Sequence, residues 1–218
     1  MRPKLVVFGI GEFPKMVAHH FEREAGFQIA GFTAHERFVK SSRLGDLPIA
    51  PFESLSEMFP PTEHQIFVAL ESGRQNLARA EVLEEALAMG YSPASFISPS
   101  AEISSGAKIG KHCLVLEQAI VQYGAEIGAN NIILAKSFFG QNCRVGANNY
   151  FASDFFADRH SRIGSYCVFG SRVAVAESVA VTDWTSIQAF ETIRESIALP
   201  TIIHPTLRTP GRIVDRRS

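Results

Sequence analysis

The run Ile127-Gly128-Ala129-Asn130-Asn131-Ile132-Ile133 is one beat of a pattern that decides the fold. Stepping by six from Ile97 gives Ile97, Ile103, Ile109, Val115, Val121, Ile127, Ile133, Phe139, Val145, Phe151, Ala157, Ile163, Phe169, Val175, Val181, Ile187 and Ile193. All are apolar, the phase never slips, and only Ala157 is small. A helix repeats every 3.6 residues and a simple strand every two, so neither keeps a strict six-residue beat. A hexapeptide repeat does, and it signals a parallel β-helix.

Four residues after each apolar position runs a second column, mostly small: Ala101, Ala107, Cys113, Ala119, Ala125, Asn131, Ser137, Cys143 and onward. A prism needs a bulky residue pointing in from each flat and a small one near each corner, because interiors are close-packed. One residue after the apolar position come Gly110, Gly128, Gly140, Gly146, Gly164 and Gly170, which suits turns with unusual backbone angles. Cys113, Cys143 and Cys167 all fall in the small column. Three thiols without paired spacing are buried fillers rather than a disulfide framework or a zinc signature.

The repeat resembles the hexapeptide-repeat acyltransferases, through Ile109-Gly110-Lys111-His112-Cys113, Val145-Gly146-Ala147-Asn148-Asn149 and Ile163-Gly164-Ser165-Tyr166-Cys167. The resemblance implies a left-handed β-helix with three hexads per turn, a homotrimer, and acetyl-CoA or another acyl-CoA as co-substrate. No metal is implied.

Bulk properties narrow the classes. The chain of 218 residues has 21 basic and 22 acidic side chains, a net charge of −1. That balance speaks against binding nucleic acid by phosphate neutralisation. No apolar run reaches the length of a membrane span. The stretch from Leu5 to Ile10 reads as a buried strand rather than a signal peptide, so a cytoplasmic protein is expected.

Residues 1–96 lack the six-residue beat. Leu5–Gly9 is a short strand, Lys15–Glu24 a helix, Phe27–Phe32 a second strand, and a weak strand surrounds Ile49. Glu53–Phe59 is a short helix, Ile66–Leu70 a strand, and Asn76–Met89 a helix whose apolar face is Leu77, Ala80, Leu83 and Leu87, closed by Gly90. Alternating strands and helices predict a small α/β domain with a parallel, Rossmann-like sheet over 1–96, a β-helix over 97–193 and a tail over 194–218. Within the tail, Phe190–Leu199 reads as a short helix ending near Pro200.

The Gly9-Ile10-Gly11 turn lacks the third glycine of the dinucleotide fingerprint, since position 14 is Pro14; a tight strand–helix turn explains it equally well. An α/β domain followed by a hexapeptide coil looks like the subfamily of bacillosamine and perosamine N-acetyltransferases and sialic-acid O-acetyltransferases. That resemblance implies a nucleotide-linked amino sugar on the first domain, with Gly9 and Gly11 near the phosphates. It also implies acidic residues after the second strand, where this chain has only Glu36.

Moving an acyl group from a thioester to an amine requires loss of an amine proton, a donor for the oxyanion, and a fixed meeting of the two substrates. In the family a histidine takes the proton, five residues before the glycine of an Ile/Val-Gly step. That offset here gives Ser105, Tyr123, Ala135, Gln141, Arg159 and Ser165. Gln141 stands at the aligned place, and glutamine cannot take a proton at neutral pH. His160 lies nearby, with Asn142 expected beside it one 18-residue coil away and Asp158 placed to orient its ring. The break at Ala157 marks the same region. His160 is either a substitute base or substrate ligand, or a solvent-facing corner residue.

His112, Asn130 and Asn148 recur every 18 residues and read as a structural ladder. Two poorly matched histidines make no carbonic-anhydrase-type metal site, and no Gly-x-Ser-x-Gly hydrolase motif occurs. For the coenzyme, the resemblance points to the late coils and tail: Gly170, Ser171, Arg172, Gln188, Arg208 and Arg212. The expected function is acyl-CoA-dependent, N- or O-directed acyl transfer to an amino sugar. A non-catalytic relative that binds a nucleotide sugar, or serves as an assembly subunit, is the alternative.

Overall fold

The structure, a computed structural model, describes residues 2–204. Contacts divide it into two units, the residues up to Gly73 with Ala78–Phe96, and Arg74–Leu77 with the described residues from Ile97 on.

The first unit is built on six strands: β1 (Lys4–Phe8), β2 (Gln28–Ala34), β3 (Arg43–Leu44), β4 (Leu47–Pro51), β5 (His64–Val68) and β6 (Ser92–Pro93). Their order is β3-β4-β2-β1-β5-β6, parallel throughout except for the β3–β4 pair. β1 lies central and is an unbroken apolar run because both of its faces are covered. Val6, Phe8, Phe52, Leu55, Ile66 and Leu83 share one core. Three helices connect the strands: α1 (Glu12–Arg23), α2 (Leu55–Met58) and α3 (Leu77–Ala88).

α3 ends as Gly90 predicts. Gly90 has φ +91°, its N–H donates to Leu87 O, and the Tyr91 N–H reaches back to Ala86 O. Its buried face differs from the predicted one: Arg79, Ala80, Val82, Leu83 and Ala86 are buried, whereas Leu87 is exposed.

The second unit is a three-sided parallel β-helix. Two-residue strands recur every six residues and pair with the strand 18 residues on, as in Ile120↔Phe138↔Phe156 and Glu126↔Arg144↔Arg162. Three sheets of seven, six and five such strands form its flats. The apolar beat points inward, and Val121, Ile133, Phe139, Phe151, Phe169 and Val175 are fully or nearly fully buried.

The core corrects three expectations. Ala157 is no functional gap: Phe155, in the small column, turns inward with no exposure and fills the space. Its ring centroid lies 4.6 Å from that of Phe151 and 4.9 Å from that of Phe169. Large and small have exchanged columns, which conserves volume in a close-packed interior.

The column glycines have ordinary φ. They are small because coils stack tightly there; a Cβ on Gly128 would come 2.7 Å from the Gly146 backbone. Positive φ sits instead at the corners, on Asn130, Asn142, Asn148, Asp154 and His160 at 56–61°, and on their equivalents up to 68° at Phe190.

Residues Phe190–Leu199 form no helix. Thr192–Ile193 is another strand, Val181 bridges to Ile197, and Ser186 and Ile187 pair with Ile202 and Ile203. The beat slips by two residues between Ile193 and Ile197, and apolar side chains go on covering the end of the core.

The asparagines inside the coils are satisfied in register, whereas the buried Thr185 hydroxyl has no partner among the described residues. Asn131 Nδ2 donates to Gly128 O and Gly146 O, and its Oδ1 accepts the Asn149 N–H at 2.8 Å. His112 Nδ1 lies 2.8 Å from Asn130 Oδ1, and Asn130 Nδ2 donates to Asn148 Oδ1 at 2.7 Å, forming the ladder the spacing implied.

Candidate functional site

Gln141 follows the Phe138–Phe139 strand at a corner of the prism. Its backbone N–H donates to Gln122 Oε1 at 3.1 Å, and its carbonyl accepts the His160 N–H at 2.9 Å. Beside it opens a groove of about 760 Å³ lined by Glu102, Ser104, Gln122, Tyr123, Gln141 and the Ile120–Val121 strand. Tyr123 is 62% exposed, and its ring lies over Gly106, where any Cβ would collide with it. The lining thus offers amides, hydroxyls, one aromatic face and one carboxylate. That set suits a polyhydroxylated, amine-bearing ligand, but it contains no imidazole.

Asn142 and His160 occupy equivalent corner positions on successive coils, both in the left-handed region at φ +58°. The expected orienting pair is not formed. Asp158 Oδ1 accepts the Arg159 N–H at 2.7 Å, and Arg159 pairs with Glu177 through two contacts of 2.8 and 2.9 Å. The His160 ring is exposed and has no hydrogen-bond partner among the described residues. A carboxylate two residues before a tight corner is closer to the turn's own N–H groups than to the side chain beyond it.

The late-coil residues gather at a different corner. Gly170 and Gln188 lie one coil apart, and Ser171 O accepts the Phe190 N–H at 2.9 Å. Arg172 stands 3.6 Å from Asp154 and 5.7 Å from the Phe190 ring, itself 70% exposed. Arg208 and Arg212 lie outside the described residues. Between the two corners runs the outer face of one flat, carrying Ile120, Phe138 and Phe156. The two phenyl rings stack at 4.8 Å and 7°.

In the first unit, Gly9 has φ +119° and donates its N–H to Thr33 O; a Cβ there would lie 2.5 Å from Pro14 and 3.1 Å from Ala69 O. Only glycine fits. Gly11 caps α1 without a side chain. From central β1 the chain builds β2 and β4 to one side and β5 to the other. The C-terminal ends of β1 and β5 therefore flank a topological switch point. Arg79, fully buried, donates to Leu70 O and Glu71 O at 2.9 and 2.8 Å and so holds the loop after β5.

After β2, the Glu36 N–H donates to Glu53 Oε2 at 2.9 Å, and His35 Nδ1 lies 3.0 Å from Glu53 Oε1. Burial pushes the Glu53 carboxyl up, but the backbone N–H groups of Glu53 and Glu36 and the His35 ring outweigh it. The group is held below the usual carboxylate value. Sequence spacing pointed to Glu36 alone. Glu53 belongs to a separate turn 17 residues on, and no local pattern links them.

No family model matches this chain and no curated protein matches it in sequence. Solved structures match it along its length. The acetyltransferase domain of PglB from Neisseria gonorrhoeae is 23% identical over 96% of this chain and 100% of that chain, at a TM-score of 0.80. The same domain in complex with acetyl coenzyme A is 21% identical over 98% and 100%, also at 0.80. A variant of perosamine N-acetyltransferase from Caulobacter crescentus, in complex with CoA and GDP-perosamine, is 19% identical over 97% of each chain, at 0.81. These likenesses establish a shared fold. No helix among the described residues is long and apolar enough to cross a membrane.

Proposed function

We propose that the chain transfers an acyl group, acetyl in the first instance, from coenzyme A to a nucleotide-linked amino sugar. The observation that carries this reading is the likeness over 96–98% of the chain, spanning both units, to acetyltransferases solved with acetyl-CoA or with CoA and GDP-perosamine. The first unit, taken as Rossmann-like, holds the nucleotide at the Gly9–Gly11 turn. The Gln141 groove offers polar groups to an acceptor, and the Arg172–Phe190 corner suits the phosphates and base of coenzyme A.

In the transfer, the acceptor nitrogen attacks the thioester carbon, a C–N bond forms, the C–S bond breaks, and the departing thiolate takes up the proton that the nitrogen loses, leaving as the thiol. Gln141 and Gln122 supply amide hydrogen-bonding groups that orient the acceptor. With no imidazole lining the groove, the rate comes from holding a neutral amine against the thioester, an effect that reaches several orders of magnitude without a protein base. Acceptance of a hydroxyl in place of the amine is the O-directed form of the same chemistry.

The stacked Phe138 and Phe156 on an outer flat support a homotrimer in which that face is covered by another copy. The same reading carries the expectation of a cytoplasmic protein. The missing imidazole favours a second reading, a non-catalytic nucleotide-sugar binder.

Calorimetric titration of acetyl-CoA and free coenzyme A at near-physiological salt tests the reading, followed by an amine and hydroxyl acceptor screen. Micromolar coenzyme binding with turnover supports transfer. No binding at millimolar ligand removes it and leaves the binding protein.

A further inference from the structure

We propose that Glu102 is the anionic anchor of the Gln141 groove, holding the ligand's amino group as an ammonium beside the Tyr123 ring, so that the groove selects amines over hydroxyls. The proposal rests on reading this groove as the acceptor site. It goes further in naming the side chains that decide between N- and O-directed transfer.

Charge comes first. Glu102 is exposed on its two-residue strand. The outward column of its flat runs Glu102, Ile120, Phe138, Phe156, Ala174 and Thr192 on successive coils, and so offers it no cation. The neighbouring flat carries Lys108, Glu126, Arg144 and Arg162 in the equivalent column, and there Glu126 pairs with both Lys108 and Arg144. Glu177 is likewise spent on Arg159, and Asp154 lies 3.6 Å from Arg172. The Glu102 side chain forms no hydrogen bond or ion pair among the described residues. A carboxylate without an internal partner keeps its full capacity for a ligand cation, and charge-assisted bonds are the stronger kind.

The aromatic wall comes second. Tyr123 is 62% exposed, yet its ring lies close against the coil before it, where a Cβ on Gly106 would collide with Cε2 and Cδ2. The Tyr123 carbonyl accepts the Asn142 N–H at 3.1 Å, which fixes the backbone that carries the ring. Such a ring covers the C–H groups of a sugar and attracts an ammonium through its π-electrons. Glu102 and Tyr123 line one groove together with Ser104 and Gln122. Gln122 Oε1 is held by the Gln141 N–H, so Gln122 contributes its amide N–H groups.

A carboxylate and an aromatic ring on one groove favour a protonated amine over a hydroxyl, because only the amine carries a charge. Before transfer the bound ammonium gives its extra proton to water, and the neutral amine still has an N–H to donate to Glu102.

The test is ligand-observed NMR on the full chain, as saturation-transfer titrations with glucosamine and with glucose at neutral pH. The two sugars differ by one amino group in place of a hydroxyl. Wild type should bind glucosamine about tenfold more tightly than glucose, the scale of one charge-assisted hydrogen bond. Glu102→Gln keeps the shape and removes the charge. It should bring glucosamine down to the affinity of glucose and leave glucose unchanged, whereas loss of a merely structural residue would weaken both alike. Gly106→Ala pushes the ring aside without altering either binding group and should weaken both sugars severalfold.

A glucosamine preference that survives in Glu102→Gln overturns the inference. So do equal affinities in wild type, or no binding of either sugar at high millimolar concentration. Unchanged affinities in Gly106→Ala would overturn the part given to Tyr123. If coenzyme A binds and the preference is absent, the inference falls alone. If the preference holds and coenzyme A does not bind, the acyl-transfer reading falls and the groove remains an amino-sugar site.

Discussion

The side-chain carbonyl of Gln122 accepts the backbone N–H of Gln141 at 3.1 Å across neighbouring coils. This bond ties the corner to the coil before it and leaves the Gln141 side chain as the group offered to the groove.

If catalysis here is by proximity, the groove lacks a base rather than a shape. Gln141→His should raise kcat/KM for an amine acceptor by about tenfold or more, since a positioned general base contributes roughly 10²–10⁴-fold. Steady-state kinetics with the acceptor found by screening check this. An unchanged or lower rate would mean that the acceptor does not sit against residue 141.

His160 has neither an orienting carboxylate nor any other hydrogen-bond partner among the described residues for its ring. His160→Ala should change kcat/KM by less than about twofold. A loss of a hundredfold would restore the histidine to a catalytic role.

Phe155→Ala should destabilise the coils by about 3–5 kcal/mol, as for large buried aromatics cut to alanine. The double variant Phe155→Ala/Ala157→Phe returns the bulk to the six-residue column. It should recover part of that loss, because the two sites share one space. Urea denaturation of wild type, Phe155→Ala, Ala157→Phe and the double variant gives the coupling. Strict additivity would show that the exchange is not compensatory.

Burial pushes the Cys143 thiol up to about 11, against a lowering hydrogen bond from Ser161, and burial likewise pushes Cys167 up to about 12. The native thiols should not react with a disulfide reagent at pH 8 and should react fully in denaturant. The folded state keeps these protons where the unfolded chain has lost them. Their contribution to stability is therefore complete below about pH 9 and is lost as pH rises toward 11–12. Thermal melts across that range should fall, and Cys143→Ser should flatten the fall.

Much of the coil was legible because its information is periodic. Six-residue spacing places Val121, Phe139 and Ile163 inside without any knowledge of their neighbours, and the 18-residue offset predicts that Asn142 and His160 stack. The Asp158–His160 pair was misjudged because nearness in sequence was taken for a contact. The corner turn directs Asp158 to the Arg159 N–H instead. The predicted helix after Phe190 failed because a two-residue slip hides the last strands from a strict count.

The sequence by itself determined that residues from Ile97 onward wind as a parallel coil, because every hexad votes independently for the same register; three hexads per turn was what the family resemblance implied. It also predicted alternating strands and helices before it, but not their order in the sheet. Only the tertiary structure decided that Phe155 fills the space left by Ala157, and that Glu53 bridges His35 and Glu36. Partner choice depends on which side chains packing and loop closure bring within reach. A one-dimensional period carries no record of those distances.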